Sequence, residues 1–287
     1  MKEKDRIFLI FGLLIAANFA AWQAVFYYHF SFEKMEVVFF DVGQGDAIFI
    51  RTPQGHQILI DGGPDSAVLE KLAQNMPFWD RDIDAIISTH LDKDHLFGLL
   101  EVLKNYKVEN IVWPGIAKET AGASEWQKLK KEEISGQGAK EEILGAGGTI
   151  VAGKVRLSVL YPAEGSASGA ADNDDSLVAR LDYGENSFLF CADISAKGEK
   201  ELVGSSQDIS AQVLKVSHHG SKSSTSEIFL EKVSPETAVI QVGRNSFGHP
   251  AEETLTRLEK FGINTLRTDI DGDVKFVADG RNLRIEK

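Results

Sequence analysis

An α/β protein with mixed sheets, carried behind one apolar N-terminal helix, is the architecture to expect from this chain. Residues 7–30 contain no Asp, Glu, Lys or Arg. From Met35 onward, short β-branched and aromatic runs alternate with Gly-containing turns and helical patterns. Some runs follow one another as hairpins and others as strand–helix units, so the sheets should be part antiparallel and part parallel. Setting the first thirty or so of the 287 residues aside leaves about 250, enough for one large domain with a full core.

The opening run, IFLIFGLLIAANFAAWQAVFYYHF, spans Ile7 to Phe30. It exceeds the ~20 residues a bilayer-crossing helix needs and the ~7–15 of a signal-peptide core. Trp22, Tyr27 and Tyr28 suit a membrane–water interface. Lys2, Lys4 and Arg6 precede it, and Lys34 is the one early cation after it. Positive-inside reasoning leaves the N-terminus in the cytoplasm and the rest outside. The expectation is a single-pass signal anchor over residues 1–34, in the cell membrane, with residues 35–287 extracytoplasmic. A cleaved signal peptide and a buried helix are the alternatives.

MEVVFFDV, DAIFIRT and HQILID read as three strands, and residues 66–75 as a helix. DAIIST is a strand and HLFGLLEVLKNY a helix. VENIVW is a strand ended by Pro114, with a helix at 124–134 whose charges, KLKKEE, suggest a solvated face. PAEGSASGAADNDDS is the clearest loop. VRLSVLY, SLVARLDY, SFLFCAD, AQVLKVS and TAVIQV are further strands, with helices at 196–203, 226–232 and 251–260. NTLRT, DVKFVA and NLRIE close the chain as strands.

The net charge of −12 argues against a generic basic nucleic-acid-coating surface, although bound cations can reverse the sign locally. Cys191 is the only cysteine, which rules out an intrachain disulfide and a cysteine-rich zinc module. It reads as a small buried apolar residue.

The chemistry concentrates in THLDKDH, where His90, Asp92, Asp94 and His95 fall within six positions. His90 ends a strand and His95 opens a helix, at the edge where α/β folds gather ligands. Residues two apart in extended backbone point the same way, so His90 and Asp92 can aim together. Asp94 and His95 follow the turn and can aim at a second point. Two ions are therefore expected. A solvated turn holding two acids is the bland alternative.

HLDKDH resembles the signature of the metallo-β-lactamase superfamily, in the variant where Asp replaces the second His. It is similar to the hydrolase domain of ComEC-type competence proteins and to the choline-phosphoesterase branch. FFDVGQGDAIFIRTPQGHQILIDGG, NDDSLVARLDYGENSFLFCADI, VLKVSHHGSKSST and GHP at 248–250 carry the resemblance on, in order, over nearly all of residues 35–287. It implies a four-layer αβ/βα sandwich with the site along one edge of two sheets. It assigns His90 and Asp92 to one metal and Asp94 and His95 to the other, with Asp193 bridging. One of the paired imidazoles His218 and His219 completes the second site. His219 is given that place, and His218 the substrate phosphate or a proton-donating role. Asp41 resembles an acid supporting the site from the first strands, and otherwise reads as a strand-end turn residue.

Two departures stand out. The third His that the β-lactamase branch places on the first metal has no counterpart, since only Asn173, Asp174, Asp175 and Ser176 occupy that region. Ala192 stands where relatives often have Gly. Ser221 and Lys222 offer contacts to an anion beside a helix start, where Ser224 and Glu227 would form a capping box. His249 before Pro250 is a helix-start residue by spacing, and the resemblance moves it into the site.

Asp and His donors without thiolate suit two Zn²⁺ or Mn²⁺ ions. A pair of ions ~3.5–4 Å apart activates water near neutral pH and steadies an in-line phosphoryl displacement. Asp94, His218 and His249 form the expected catalytic group, with His218, Lys222 or His249 stabilising or protonating the departing charge. The expected function is a membrane-anchored phosphodiesterase or nuclease linked to DNA uptake, with single-stranded DNA as substrate and a separate channel protein as partner. The alternatives are hydrolysis of an ester, lactone or β-lactam, and a non-catalytic nucleic-acid-binding component.

Overall fold

The computed structural model describes residues 3–30, 34–163 and 173–286. Residues 164–172 of the small-residue loop and 31–33 after the apolar run lie outside them. The N-terminal run forms helix α1 (Glu3–Phe30). Its stretch Lys4–Gln23 is long and apolar enough to cross a membrane, and none of it is buried.

Strands β1 (Met35–Phe39), β2 (Ile48–Arg51) and β3 (Gln57–Ile60) pair antiparallel as hairpins. After β3 the chain changes mode. Helix α2 (Ala67–Asn75), β4 (Asp82–Ile87), α3 (Lys93–Asn105), β5 (Lys107–Trp113), α4 (Ala121–Gln137) and β6 (Lys140–Ile143) run as strand–helix units. Strands β3 to β6 are therefore parallel. The second half repeats the plan. Strands β7 (Thr149–Ala152), β8 (Val155–Tyr161), β9 (Val178–Tyr183) and β10 (Asn186–Phe190) are antiparallel. Helix α5 (Ala196–Gly204), β11 (Val213–Lys215), α6 (Glu227–Val233), β12 (Thr237–Ile240), α7 (Glu252–Lys260) and β13 (Asn264–Arg267) then extend β10 in parallel. A short α8 (Thr268–Asp271) leads to β14 (Val274–Ala278) and β15 (Leu283–Glu286), which return to β1.

The result is an eight-stranded sheet, β15-β14-β1-β2-β3-β4-β5-β6, and a seven-stranded one, β13-β12-β11-β10-β9-β8-β7. Strand alternation explains the layering. Met35, Val37 and Phe39 meet Phe188 and Phe190 in the core between the sheets. The opposite face of the first sheet (Val38, Phe40, Phe49) packs on Leu96, Leu99 and Trp126 of the helices. Leu189, Cys191 and Leu214 meet Phe229, Leu230 and Leu258 on the other side. This is the expected four-layer αβ/βα sandwich, with Cys191 a buried apolar residue as expected.

Three local expectations change. Strands β6 and β7 carry no clear alternation in sequence. KEEI is exposed throughout and is a strand because it pairs with Asn110 to Trp113. The charges of α4 are not all solvated. Lys130 is buried with its ammonium 4.0 Å from the centre of the Trp113 ring, and Glu133 accepts the Val108 N–H at 2.8 Å. The capping box is absent too. The hydroxyl of Ser224 turns back to the carbonyls of Ser217 and Ser221, and the buried carboxylate of Glu199, on α5, accepts the N–H groups of Thr225 and Ser226.

Candidate metal centre

The side chains of the centre sit on loops and one helix start at one edge of the two sheets, mostly at the carboxyl ends of parallel strands, where such folds place ligands. The turn between β1 and β2 contributes Asp46. The end of β3 contributes Asp61, and the end of β4 His90 and Asp92. Asp94 and His95 lie in the first turn of α3. Asp193 follows β10, His218 and His219 follow β11, and Gln241 follows β12.

The entry of α3 is set by backbone contact. The Gly62 N–H donates to the His95 carbonyl at 2.8 Å, and the Gly98 N–H to Gly63 at 3.0 Å. A Cβ on Gly98 would stand 1.8 Å from the Gly62 oxygen, so glycine alone allows the approach that brings His95 to the edge. Asp61, Ala192, His218 and His219 all adopt left-handed backbone, with φ of 56°, 44°, 50° and 52°. Each such residue costs about 1–2 kcal/mol, strain of the kind that gathers at functional sites. At Ala192 a glycine would hold the same backbone without that strain.

Three imidazoles are held by Nδ1 and turn Nε2 inward. His95 Nδ1 meets Asp61 Oδ2 at 2.8 Å, His219 Nδ1 donates to the Gln241 carbonyl at 2.9 Å, and His90 Nδ1 lies 3.0 Å from Thr89 Oγ1. Asp61 is itself held by the N–H and hydroxyl of Thr89 at 2.8 and 2.6 Å. Such outer partners fix the tautomer and aim the ring. His95 Nε2 then lies 3.4 Å from Asp193 Oδ1, and His219 Nε2 lies 3.3 Å from Asp94 Oδ2 and 3.6 Å from Asp193 Oδ2. His90 Nε2 is 3.8 Å from Asp92 Oδ2. The groups His90–His95–Asp193 and Asp94–His95–His219 each present ligand atoms within 4.8 Å of one another.

These residues fit a divalent-metal centre. The Nε2 atoms of His90, His95 and His219 and Oδ1 of Asp193 are buried without a hydrogen-bond partner, a costly arrangement unless something else meets them. The electrostatics agree. Burial would raise Asp193, but His219 and His95 hold it well below the usual carboxylate range. Burial would also raise Asp94, and the His219 imidazole beside it, with His95, keeps it low. Conversely His95 is raised well above its usual value, against its burial, by Asp193, Asp46 and Asp61. His219 is raised to about 9, against its burial, by Asp193 and Asp46. His90 differs, because burial and the neighbouring His95 push it down to about 3, leaving a neutral nitrogen donor. The acids thus call for positive charge at the places where ions would sit.

A family model for the metallo-beta-lactamase superfamily matches residues 40–244. The chain belongs to the metallo-beta-lactamase superfamily. It is similar to ComE operon protein 3 of Bacillus subtilis, 32% identical over 260 residues that cover 84% of this chain and 33% of that protein. It is also similar to competence protein ComA of Neisseria gonorrhoeae, 32% identical over 244 residues covering 84% of this chain and 32% of that protein. The chain therefore spans about a third of the length of these relatives. Among solved structures, the metallo-beta-lactamase fold protein YhfI from Bacillus subtilis superposes with a TM-score of 0.58 at 13% identity. That match covers 85% of this chain and all of YhfI, a likeness of fold.

Within this superfamily member, the structure brings His90, Asp92, Asp94, His95, Asp193, His218 and His219 together along one cleft edge. Three expected residues stand elsewhere. Asp41 accepts the Gly43 N–H at 3.2 Å and gives its own N–H to Asp273 at 2.7 Å, so it is a turn residue. Asp46 and Asp61 take the supporting place. Asp41 lies in the strand-end turn, whereas Asp46 sits at the base of the β1–β2 connection, its N–H bonded to the Asp94 carbonyl at 3.1 Å. Ser221 turns its hydroxyl to Ser223 at 2.9 Å, and exposed Lys222 gives its carbonyl to Arg257 at 3.2 Å. Neither lines the cleft of about 190 Å³, whose wall holds Gln44, Asn173, Phe247 and His249 beside the ligand candidates.

His218 is less buried than His219. Its Nε2 lies 3.9 Å from Asp193 Oδ2 and 3.5 Å from the Asn173 amide. The His249 ring is 5.5 Å from it, and burial, then His218, keeps His249 below its usual value. Asp174 turns aside to hold Ser195 N and Oγ at 2.8 and 2.9 Å. Residues 173–176 themselves carry no imidazole, and Lys118 pairs with Asp92.

Sequence reasoning passed over Asp46, Asp61, Lys118 and Lys215. Lys215 is 1% exposed. Its ammonium pairs with Asp46, donates to the Ala192 carbonyl at 3.1 Å and lies 3.9 Å from Asp193. Burial would lower it, yet Asp46 and Asp193 raise it above the usual lysine value. A charged residue inside the apolar run VLKV was the available signal, because a buried lysine needs a buried acid.

Proposed function

We propose that this protein is a two-metal phosphodiesterase that cleaves nucleic-acid strands outside the membrane its N-terminal helix crosses. The observation that carries the reading is the inward-facing donor set, three unpartnered imidazole nitrogens and Asp193. The HLDKDH resemblance, in which Asp92 replaces the second His, favours a phosphodiester over a lactam. His90, Asp92 and Asp193 would hold one Zn²⁺ or Mn²⁺ ion, and Asp94, His95 and His219 the other, with Asp193 between them. Two such ions, when bound, polarise a phosphoryl group and bring the pKa of water down to about 7.

The chain's own residues supply the rest. Asp61, Thr89 and the Gln241 carbonyl hold the imidazole rings in one tautomer before substrate arrives. Lys215 and Asp46 keep the floor of the site rigid and charge-balanced. His218, held beside Asn173 and facing the cleft, is placed to donate a proton or hydrogen bond to the departing oxygen. His249 supports it from the cleft wall. The name of one matched relative, a competence protein, supports a strand of imported DNA as the substrate. Lys2, Lys4 and Arg6 before the apolar run that starts at Ile7, and the scarcity of cations after it, support an extracytoplasmic site.

The test uses the full chain in detergent, loaded with Mn²⁺ or Zn²⁺. It is offered single-stranded DNA, a chromogenic phosphodiester and a chromogenic β-lactam. The expected result is metal-dependent phosphodiester cleavage. Asp94→Ala should lower kcat/KM by more than the ~10–100-fold that loss of a supporting residue costs. Cleavage that survives Asp94→Ala would sink the mechanism. Turnover of the β-lactam alone would move the reading to another hydrolase, and DNA binding without turnover to a binding protein.

A further inference from the structure

The cleft is too small to enclose a nucleotide. Its volume of about 190 Å³ falls short of the ~300–1,000 Å³ of sites that surround a small-molecule ligand. A phosphate group fits among the metal-site residues, and whatever is attached to it must lie across the rim. The largest apolar group on that rim is Phe247, 72% exposed.

Single exposed apolar side chains are ordinary. Phe247 is set apart by how it is held. The Asn245 Oδ1 accepts the N–H groups of Phe247 and His249 at 3.0 and 3.1 Å. Its Nδ2 donates to the carbonyls of Gly243 and His249 at 2.9 and 2.8 Å. One side chain thus clamps the whole loop at its base. The Phe247 ring lies over His249, centroids 5.9 Å apart and planes 25° from parallel. His249 in turn stands 5.5 Å from His218 and nearly edge-on to it. A row of three rings runs from solvent to within 3.9 Å of Asp193, with a flat apolar face at its outer end.

We propose that Phe247 is a stacking platform for the nucleobase next to the scissile phosphate, making the enzyme selective for single strands. This rests on the phosphodiesterase reading above and deepens it. An aromatic face accepts any base, so it confers little sequence preference, and it needs a base free of its own stack, which a duplex does not offer. It also suits an acidic protein, whose charge of −12 gives the strand's backbone little attraction away from the metals.

The experiment compares a single-stranded oligonucleotide with one carrying a run of abasic residues, using the full chain with Mn²⁺. Stacking of one base corresponds to about 5- to 150-fold. Phe247→Ala should shrink the preference for intact over abasic strand by that factor, and Phe247→Trp should keep it. An oligonucleotide containing 2-aminopurine adds a binding readout, since its fluorescence quenches on stacking. Wild type and Phe247→Trp should quench it and Phe247→Ala should not. An unchanged preference together with unchanged quenching in Phe247→Ala overturns the platform. Wild-type protein that leaves both strands uncut overturns the phosphodiesterase reading alone, and the quenching then still decides the platform.

Discussion

Lys215 is a cation with almost no water around it, and its partners explain its place. It stands against Asp46 and Asp193, two acids that also touch the imidazoles of the site. Removing one partner of a buried ion pair costs about 3–5 kcal/mol, because the other charge is left unpaired. Lys215→Met should therefore lose stability of that order, read by urea unfolding in chelator. Added Mn²⁺ should restore more stability to the variant than to wild type, since ions bring the missing positive charge. Equal stability of the two proteins in chelator would remove the charge-balancing role. Single letters of the sequence singled out the donors that the structure gathers at one edge, because His90, Asp92, Asp94 and His95 fall within six positions. They did not announce the supports. Asp41 and Asp46 are both acids in one glycine-rich turn, and only the path of that turn separates them.

Helix α3 shows how a segment delivers a ligand. Its periodicity is plain in sequence, and its apolar face buries Leu96, Leu99 and Leu103. Its position is set by two glycines meeting backbone to backbone. Alanine is normally better than glycine inside a helix by ~1 kcal/mol. Gly98→Ala should reverse that order, because the new methyl meets the Gly62 carbonyl. The expected outcome is destabilisation by about 1–3 kcal/mol, the usual cost of overpacking. Weaker metal binding by calorimetry should accompany it, since His95 shifts with the helix. A variant at least as stable as wild type would show that α3 has room to move. Helices and inner strands were legible because apolar periodicity is local. Strand β6 was not, since its exposed KEEI is a strand only through pairing with β5. The cap of α6 was not either, since its acceptor is Glu199 on α5, 26 and 27 residues before the N–H groups it receives.

Both halves of the chain follow one plan, antiparallel strands giving way to parallel strand–helix units, and the two sheets face each other through a shared core. The plan sets the carboxyl ends of β3, β4, β10, β11 and β12 at one edge, so ions bound there tie both sheets together. Binding at ~100 times the Kd adds about 2.7 kcal/mol to stability. A domain of this size gains about 2–4 °C per kcal/mol. Chelation should therefore lower Tm by roughly 5–10 °C, with Mn²⁺ or Zn²⁺ restoring it and Mg²⁺ less so. A Tm indifferent to chelator would mean that the donors hold no ion in the folded protein.

The mixed α/β character, most of the strands and helices, the apolar N-terminal helix and the cluster of His and Asp donors were readable from the amino acids alone, because each is written in neighbouring residues. The four-layer plan followed from the resemblance those motifs carry. The tertiary structure decided which donors meet. It turned His219 rather than His218 inward, set Asp61 on His95 across 34 residues, brought Gln241 to the backbone of Ala47 across 194, and left Ser221 and Lys222 out of the cleft lining. The direction of a ring or carboxylate depends on packing between segments far apart in the chain, and local sequence carries no term for it.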